Sequence, residues 1–175
     1  MKKFLIIACL FSTFSAGAQT VKWYTFKEAV ELNKKEPRKI FIDVYTDWCG
    51  FCKKMDKETF SHPVISEYLN KNFYPVKFNA ESFDTIVFSG YKFGNPGIGP
   101  RSTHQFAIAL FQAQKLQPGY PAIAYINENL QLIGVIPGFL TAVQIEPVLN
   151  FVYEDRFKTE SLDEYQKSFI SKIKQ

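Results

Sequence analysis

The spacing of apolar residues along the chain switches repeatedly between the helical period and the strand period. Thr25-Phe26-Lys27-Glu28 has the form of a capping box and opens a helix to about Glu36, stopped by Pro37 and Arg38. Lys39 to Tyr45 (KIFIDVY) is apolar and β-branched with a single acid inside it, the pattern of a buried strand. A helical pattern resumes after Gly50 and runs to about Phe60. Pro63 suits the first turn of the next helix, Val64 to Lys71, and Phe73 to Phe78 alternates as a strand does. Thr85-Ile86-Val87-Phe88 and Tyr91-Lys92-Phe93 flank Ser89-Gly90 and predict a small hairpin. The Gly- and Pro-rich stretch from Asn95 to Pro100 is a loop, and Thr103 to Leu116 has helical spacing. Ala122 to Ile126 and Gln131 to Ile136 are strands joined by a turn at Asn127-Glu128-Asn129. Thr141 to Tyr153 is helical, and Ser161-Leu162-Asp163-Glu164 is a second capping box that opens a terminal helix. Helices alternating with strands early in the chain predict an α/β fold, with a partly parallel sheet covered on both faces.

The first residues follow a different rule. Lys2 and Lys3 precede an apolar run from Phe4 to about Phe11, and Ala16-Gly17-Ala18 ends the segment. That is the layout of a signal peptide over residues 1–18, with cleavage before Gln19 and a domain over 19–175. A competing reading makes Ile6-Ile7-Ala8-Cys9 a lipoprotein signal with Cys9 as the lipidated residue. The apolar run is well short of the roughly 20 residues a membrane span needs, so no stable membrane insertion is expected. Both readings place the mature protein outside the cytoplasm, in the periplasm or otherwise exported.

At 175 residues, 46% hydrophobic and 22% charged, the chain suits one domain able to bury a core without disulfide staples. Its formal charge of +4 includes Lys2 and Lys3. The remaining basic residues are scattered among acids, which argues against a nucleic-acid partner.

Three cysteines are present, and Cys9 sits in the leader, which leaves Cys49 and Cys52. A pair with two residues between its members closes a tiny loop and restrains little, so its value is chemical. Thiol–disulfide exchange needs an attacking thiolate and a second thiol to resolve the mixed disulfide. At a helix start, the first cysteine meets free N–H groups that favour its thiolate, and the second lies one turn in. Cys49 is thus the expected nucleophile and Cys52 the resolving thiol. A zinc site would have to recruit His62 and His104, whose spacing matches no finger pattern, so no metal is expected.

With these residues in view, IFIDVYTDWCGFCKKM resembles the thioredoxin family, specifically its exported thioredoxin-like branch. The resemblance runs from about Lys39 to Val152 and implies a central mixed sheet with helices on both faces. To that fold this chain adds an inserted hairpin and helix over about 80–117 and an extra C-terminal helix. It implies that Asp43, six residues before Cys49, assists proton transfer at Cys52, with Lys77 as the neighbouring lysine. A desolvated carboxylate can act in that way on physical grounds as well. It further implies a cis-proline loop at Tyr120-Pro121, where client backbone docks, with Trp48 and Gly138 on the same surface. Two features depart from the family. Gly-Phe stands between the cysteines, where a His would add thiolate stabilisation, and the insertion is foreign to a plain thioredoxin. The insertion's aromatics, Phe83, Phe88, Tyr91 and Phe93, form either a small core of their own or a surface for a partner. A His at a helix start, as at His104, is more often a surface or capping residue than a catalytic one.

The implied function is a disulfide reductase of exported proteins that needs no cofactor. Its partners would be disulfide-containing exported proteins and a membrane thiol donor that restores the dithiol. Oxidase or isomerase activity is the alternative within the same chemistry, and a non-catalytic binding or chaperone module is the alternative outside it.

Overall fold

The Thr25 hydroxyl accepts from the Glu28 amide while the Glu28 carboxylate accepts from the Thr25 amide, so the first capping box forms as its sequence predicts. It opens α1, Phe26–Lys35. In the computed structural model, which describes residues 20–174, the order continues β1 (Lys39–Tyr45), α2 (Gly50–Met55), α3 (Pro63–Asn72), β2 (Phe73–Asn79), β3 (Ile86–Phe88), β4 (Tyr91–Phe93) and α4 (Gln105–Ala113). It closes with β5 (Ala122–Ile126), β6 (Leu132–Pro137), α5 (Ala142–Tyr153) and α6 (Leu162–Ser168). The expected signal peptide and Cys9 lie outside the described residues.

Four strands form the central sheet in the order β2-β1-β5-β6. β1 and β2 run parallel, while β5 is antiparallel to both β1 and β6. The parallel pair needs a crossover, which α2 and α3 supply; the antiparallel pair needs only the turn at Asn127. There the Asn127 Oδ1 accepts from the amides of Asn129 and Gln131.

Strand periodicity sorts the side chains onto two faces. Ile40, Ile42 and Val44 of β1 meet α1 and α4, together with Val76, Phe78, Ala122 and Ala124. Phe41, Phe73, Ile123 and Tyr125 meet α2, α3 and α5 through Met55, Ile65, Leu69, Ile145 and Leu149. The expected mixed sheet with helices on both faces is therefore present. At the C-terminal end, Tyr165 of α6 packs on Phe151 at 5.5 Å between ring centres, and buried Glu146 accepts from the Ser171 hydroxyl and the Lys172 amide.

Two elements differ from their sequence pattern. The helix expected over 50–60 becomes α2 followed by a wider π turn over Asp56–Phe60. A π turn inserts one residue per turn, rotates the following side chains and is common at functional sites. The helix expected to reach Leu116 ends at Ala113. Lys115 takes a left-handed conformation with φ +55°, and Pro118 lies just beyond. Such a left-handed residue closes a helix, and a nearby proline prevents its continuation.

The insertion is joined to the main core, a third outcome beside the two expected for it. Phe106 of α4 lies 4.8 Å from Phe26 and 5.6 Å from each of Phe78, Phe88 and Phe93. Phe83 and Tyr91, by contrast, are 76% and 71% exposed. His104 is fully buried as the N-cap of α4. Its Nδ1 accepts from the Phe106 amide at 3.0 Å, and its Nε2 lies 2.8 Å from the Asp84 carbonyl. Both ring nitrogens are thereby occupied in structure.

Tyr125 is fully buried, and its hydroxyl has no hydrogen-bond partner among the described residues. A buried unpaired hydroxyl costs about 1–3 kcal/mol. Tyr125→Phe is therefore expected to raise stability by about 1 kcal/mol, read as a higher urea midpoint. A lower midpoint would show that the hydroxyl contributes to the fold.

Candidate active site

Cys49 ends the loop that leaves β1 and stands as the N-cap of α2. Its amide donates to the Thr46 carbonyl at 3.1 Å, which holds the turn, and its carbonyl accepts from the Lys53 amide at 3.2 Å. Cys49 and Cys52 are joined in a disulfide. The Cys52 amide donates to Cys49 Sγ at 3.1 Å. In the reduced state, a donor aimed at that sulfur favours thiolate over thiol. Both cysteines are buried, while Trp48 is 50% and Phe51 63% exposed. The disulfide thus lies in the floor of an apolar surface.

On the sheet face covered by α2, β1 and β2 pair with Asp43 opposite Lys77. The Lys77 ammonium donates to Asp43 Oδ2 at 2.6 Å and also to Asp56 Oδ1. The second oxygen of Asp43 is buried with no partner among the described residues. Burial is the leading influence on Asp43 and raises its pKa to about 6, against the downward pull of Lys77. Burial acts to lower the Lys77 pKa, but Asp43 and Asp56 more than offset it and leave it raised. A half-neutralised, desolvated carboxylate with a free oxygen can take up and release a proton near neutral pH.

The fold also brings together four sequence-expected residues, Trp48, Tyr120, Pro121 and Gly138. The Tyr120–Pro121 bond is cis. The Pro121 carbonyl accepts from the Gly138 amide at 2.8 Å, and Gly138 has φ +98°, a conformation that a side chain would strain. The Trp48 ring meets Tyr120 edge-on at 6.4 Å. Of the sequence-expected site residues, Cys49, Cys52, Asp43 and Pro121 are buried, Lys77 and Tyr120 are partly buried, and Trp48 and Gly138 are exposed.

Several further residues escaped the sequence reading. Asp56 follows Cys52 by four positions, a spacing that puts side chains on one helix face, so its approach to Lys77 was open to inference. Phe139 lies 6.2 Å from Phe51 and extends the apolar surface. Glu81 and Arg101, which touch Trp48, come from the insertion, and no local pattern marked them.

A family profile described as a thioredoxin-like domain matches residues 26–153. An uncharacterised protein of Archaeoglobus fulgidus is 29% identical over 76 residues, 43% of this chain and 60% of that protein. The thiol:disulfide interchange protein DsbD of Pectobacterium atrosepticum is 40% identical over 37 residues, 21% of this chain and 6% of that protein. The chain therefore spans less than two thirds of either relative. Among solved structures, a thioredoxin from Thermus thermophilus aligns with a TM-score of 0.54 and 17% identity, over 76% of this chain and 87% of that one. A putative disulphide isomerase from Bacteroides thetaiotaomicron aligns at 0.53 and 22%, over 83% and 100%. At these identities the likeness to solved structures is one of fold. Among the described residues, no helix is long and apolar enough to cross a membrane.

Proposed function

Since the chain belongs to the thioredoxin-like domain family, we propose that it is a thiol–disulfide oxidoreductase that reduces disulfides in exported proteins. The observation that carries this reading is the Cys49–Cys52 disulfide at a helix start, on the sheet face where Asp43 and Lys77 are paired.

In the reducing direction the Cys49 thiolate attacks one sulfur of a client disulfide. The client's S–S bond breaks, a Cys49–client disulfide forms, and the other client sulfur leaves as a thiolate. Asp43, as carboxylate, accepts the proton of Cys52, whose thiolate then attacks Cys49 Sγ. The Cys49–Cys52 disulfide forms and the second client thiolate departs. Two electrons have passed to the client, whose two thiolates are protonated, one by the proton returned from Asp43 and the other by water. Trp48, Tyr120, Pro121 and Gly138 offer the wall and backbone edge against which the client strand lies.

Export rests on the leader-like residues 1–18. In an oxidising compartment a reductase must be recharged, and the chemistry required of its partner is a dithiol donor linked to the membrane. The short stretch shared with a protein named for thiol:disulfide interchange supports exchange as the reaction.

The absence of a histidine between the cysteines favours the reducing direction, since no imidazolium stabilises the Cys49 thiolate. The redox potential of the full chain, measured against glutathione, tests this. A value of about −270 mV is expected, whereas one of about −120 mV would make the protein an oxidant.

A further inference from the structure

The insertion between β2 and β5 returns to the exchange site at Tyr120, where the Phe111 ring lies 6.3 Å away, and most closely at Trp48. The Arg101 guanidinium carbon lies 4.3 Å from the centre of the Trp48 ring. The indole Nε1 donates to Glu81 Oε1 at 2.9 Å, and Tyr120 closes its edge. Trp48 is thus held on a face, at its N–H and along an edge, although half of it is open to solvent.

The loop that carries Arg101 is itself tightly tied. Asn95 Nδ2 donates to the carbonyls of Glu81, Ser82 and Ser102 at 3.1, 3.2 and 2.8 Å. Its Oδ1 accepts from the Gly97 amide at 3.0 Å, and the Ser102 hydroxyl accepts from the Ile98 amide at 3.1 Å. Asn95 therefore binds the segment bearing Glu81 to the residue beside Arg101, and both grips on Trp48 share one anchor. Among the described residues no carboxylate pairs with Arg101, and its guanidinium stacks on Trp48. A planar guanidinium can stack on an aromatic face and keep its in-plane N–H groups free, which an ammonium cannot do.

We propose that Arg101 is a positioning residue: through it the insertion fixes Trp48 as a rigid wall beside Cys49. That wall is continuous in character with Phe51 and suits a client whose cysteine is flanked by apolar side chains. A wall ordered beforehand lowers the ordering cost of docking and so acts on client affinity more than on the exchange step. This inference rests on the function proposed above.

The test compares the full chain with Arg101→Ala and Arg101→Lys, each in a Trp23→Phe background so that emission reports Trp48 alone. An exposed cation–π contact corresponds to a factor of about 2–5. Arg101→Ala is expected to raise acrylamide quenching of Trp48 with an unchanged melting temperature, and Arg101→Lys to fall between it and the parent. With insulin as substrate, KM is expected to rise about 2- to 5-fold in Arg101→Ala while kcat moves less. With hydroxyethyl disulfide, which is too small to span the wall, KM is expected to change less. Unchanged quenching would overturn the proposal. So would equal KM changes for both disulfides, or a loss that tracks melting temperature. If the parent protein reduces neither disulfide, the proposed function fails, and quenching alone still decides whether Arg101 holds Trp48.

Discussion

Cys52→Ser is expected to stop turnover and leave Cys49 covalently joined to its client. The second thiol has one task, attack on Cys49 Sγ, and the fold keeps it within reach: its own amide already donates to that sulfur. An attack within one molecule has an advantage of many orders of magnitude over a dissolved thiol at ordinary concentration. Serine offers no thiolate, so release falls to the exogenous rate, a loss of about 10³-fold or more. Cells expressing the full chain with this substitution should yield disulfide-linked adducts on non-reducing gels. Those adducts should vanish on reduction and be absent when Cys49→Ser is added. No reduction of insulin by the parent chain, with no adducts trapped by Cys52→Ser, would remove the exchange mechanism altogether and leave a binding module as the better account.

Asp43→Asn carries the second large effect, and it acts in opposite directions on stability and on rate. The folded protein holds the Asp43 pKa at about 6 against an ordinary 3.8, because burial disfavours the charge. Between those values the folded state binds more protons than the unfolded one. The stability contributed by this group is therefore complete below about pH 4 and is lost as pH rises through about 6. Asparagine avoids the buried charge, and Lys77 keeps Asp56 as its partner. At pH 8 the variant should be more stable than the parent by about 1–3 kcal/mol, a gap that shrinks as pH falls towards 4. Release of client should slow by about 10²-fold at neutral pH, since amide cannot accept the Cys52 proton. The rise in release rate through pH 6 should also disappear. A stability gap that does not change with pH, or an inflection that persists in Asp43→Asn, would show that Asp43 neither carries the buried charge nor takes the proton.

Much of this arrangement was legible from the chain. Lys39 to Tyr45 reads as a buried strand because six of its seven residues are buried, and Thr25, Thr141 and Ser161 announce their helices through side chains that cap locally. Cys49 and Cys52 are legible because helix geometry alone brings i and i+3 together. Asp43, Lys77, Tyr120, Pro121 and Gly138 were legible through the family resemblance, since their proximity depends on strand order and on a cis bond. What stayed hidden depends on long-range return of the chain. Arg101 reaches Trp48 only because Asn95 folds the loop back, and nothing within a few residues of Arg101 marks it. Likewise, the end of α4 at Ala113 turns on one left-handed residue, Lys115, which carries no glycine signal.

Phe106 gives the insertion a standing that its position in the sequence does not suggest. Because its ring is shared by α1, β2 and both strands of the small hairpin, residues 80–117 are no removable ornament on an older scaffold. Trimming them would expose the flank of the sheet as well as the exchange site. Changes in this segment and in the helix beneath it can be accepted only in matched pairs.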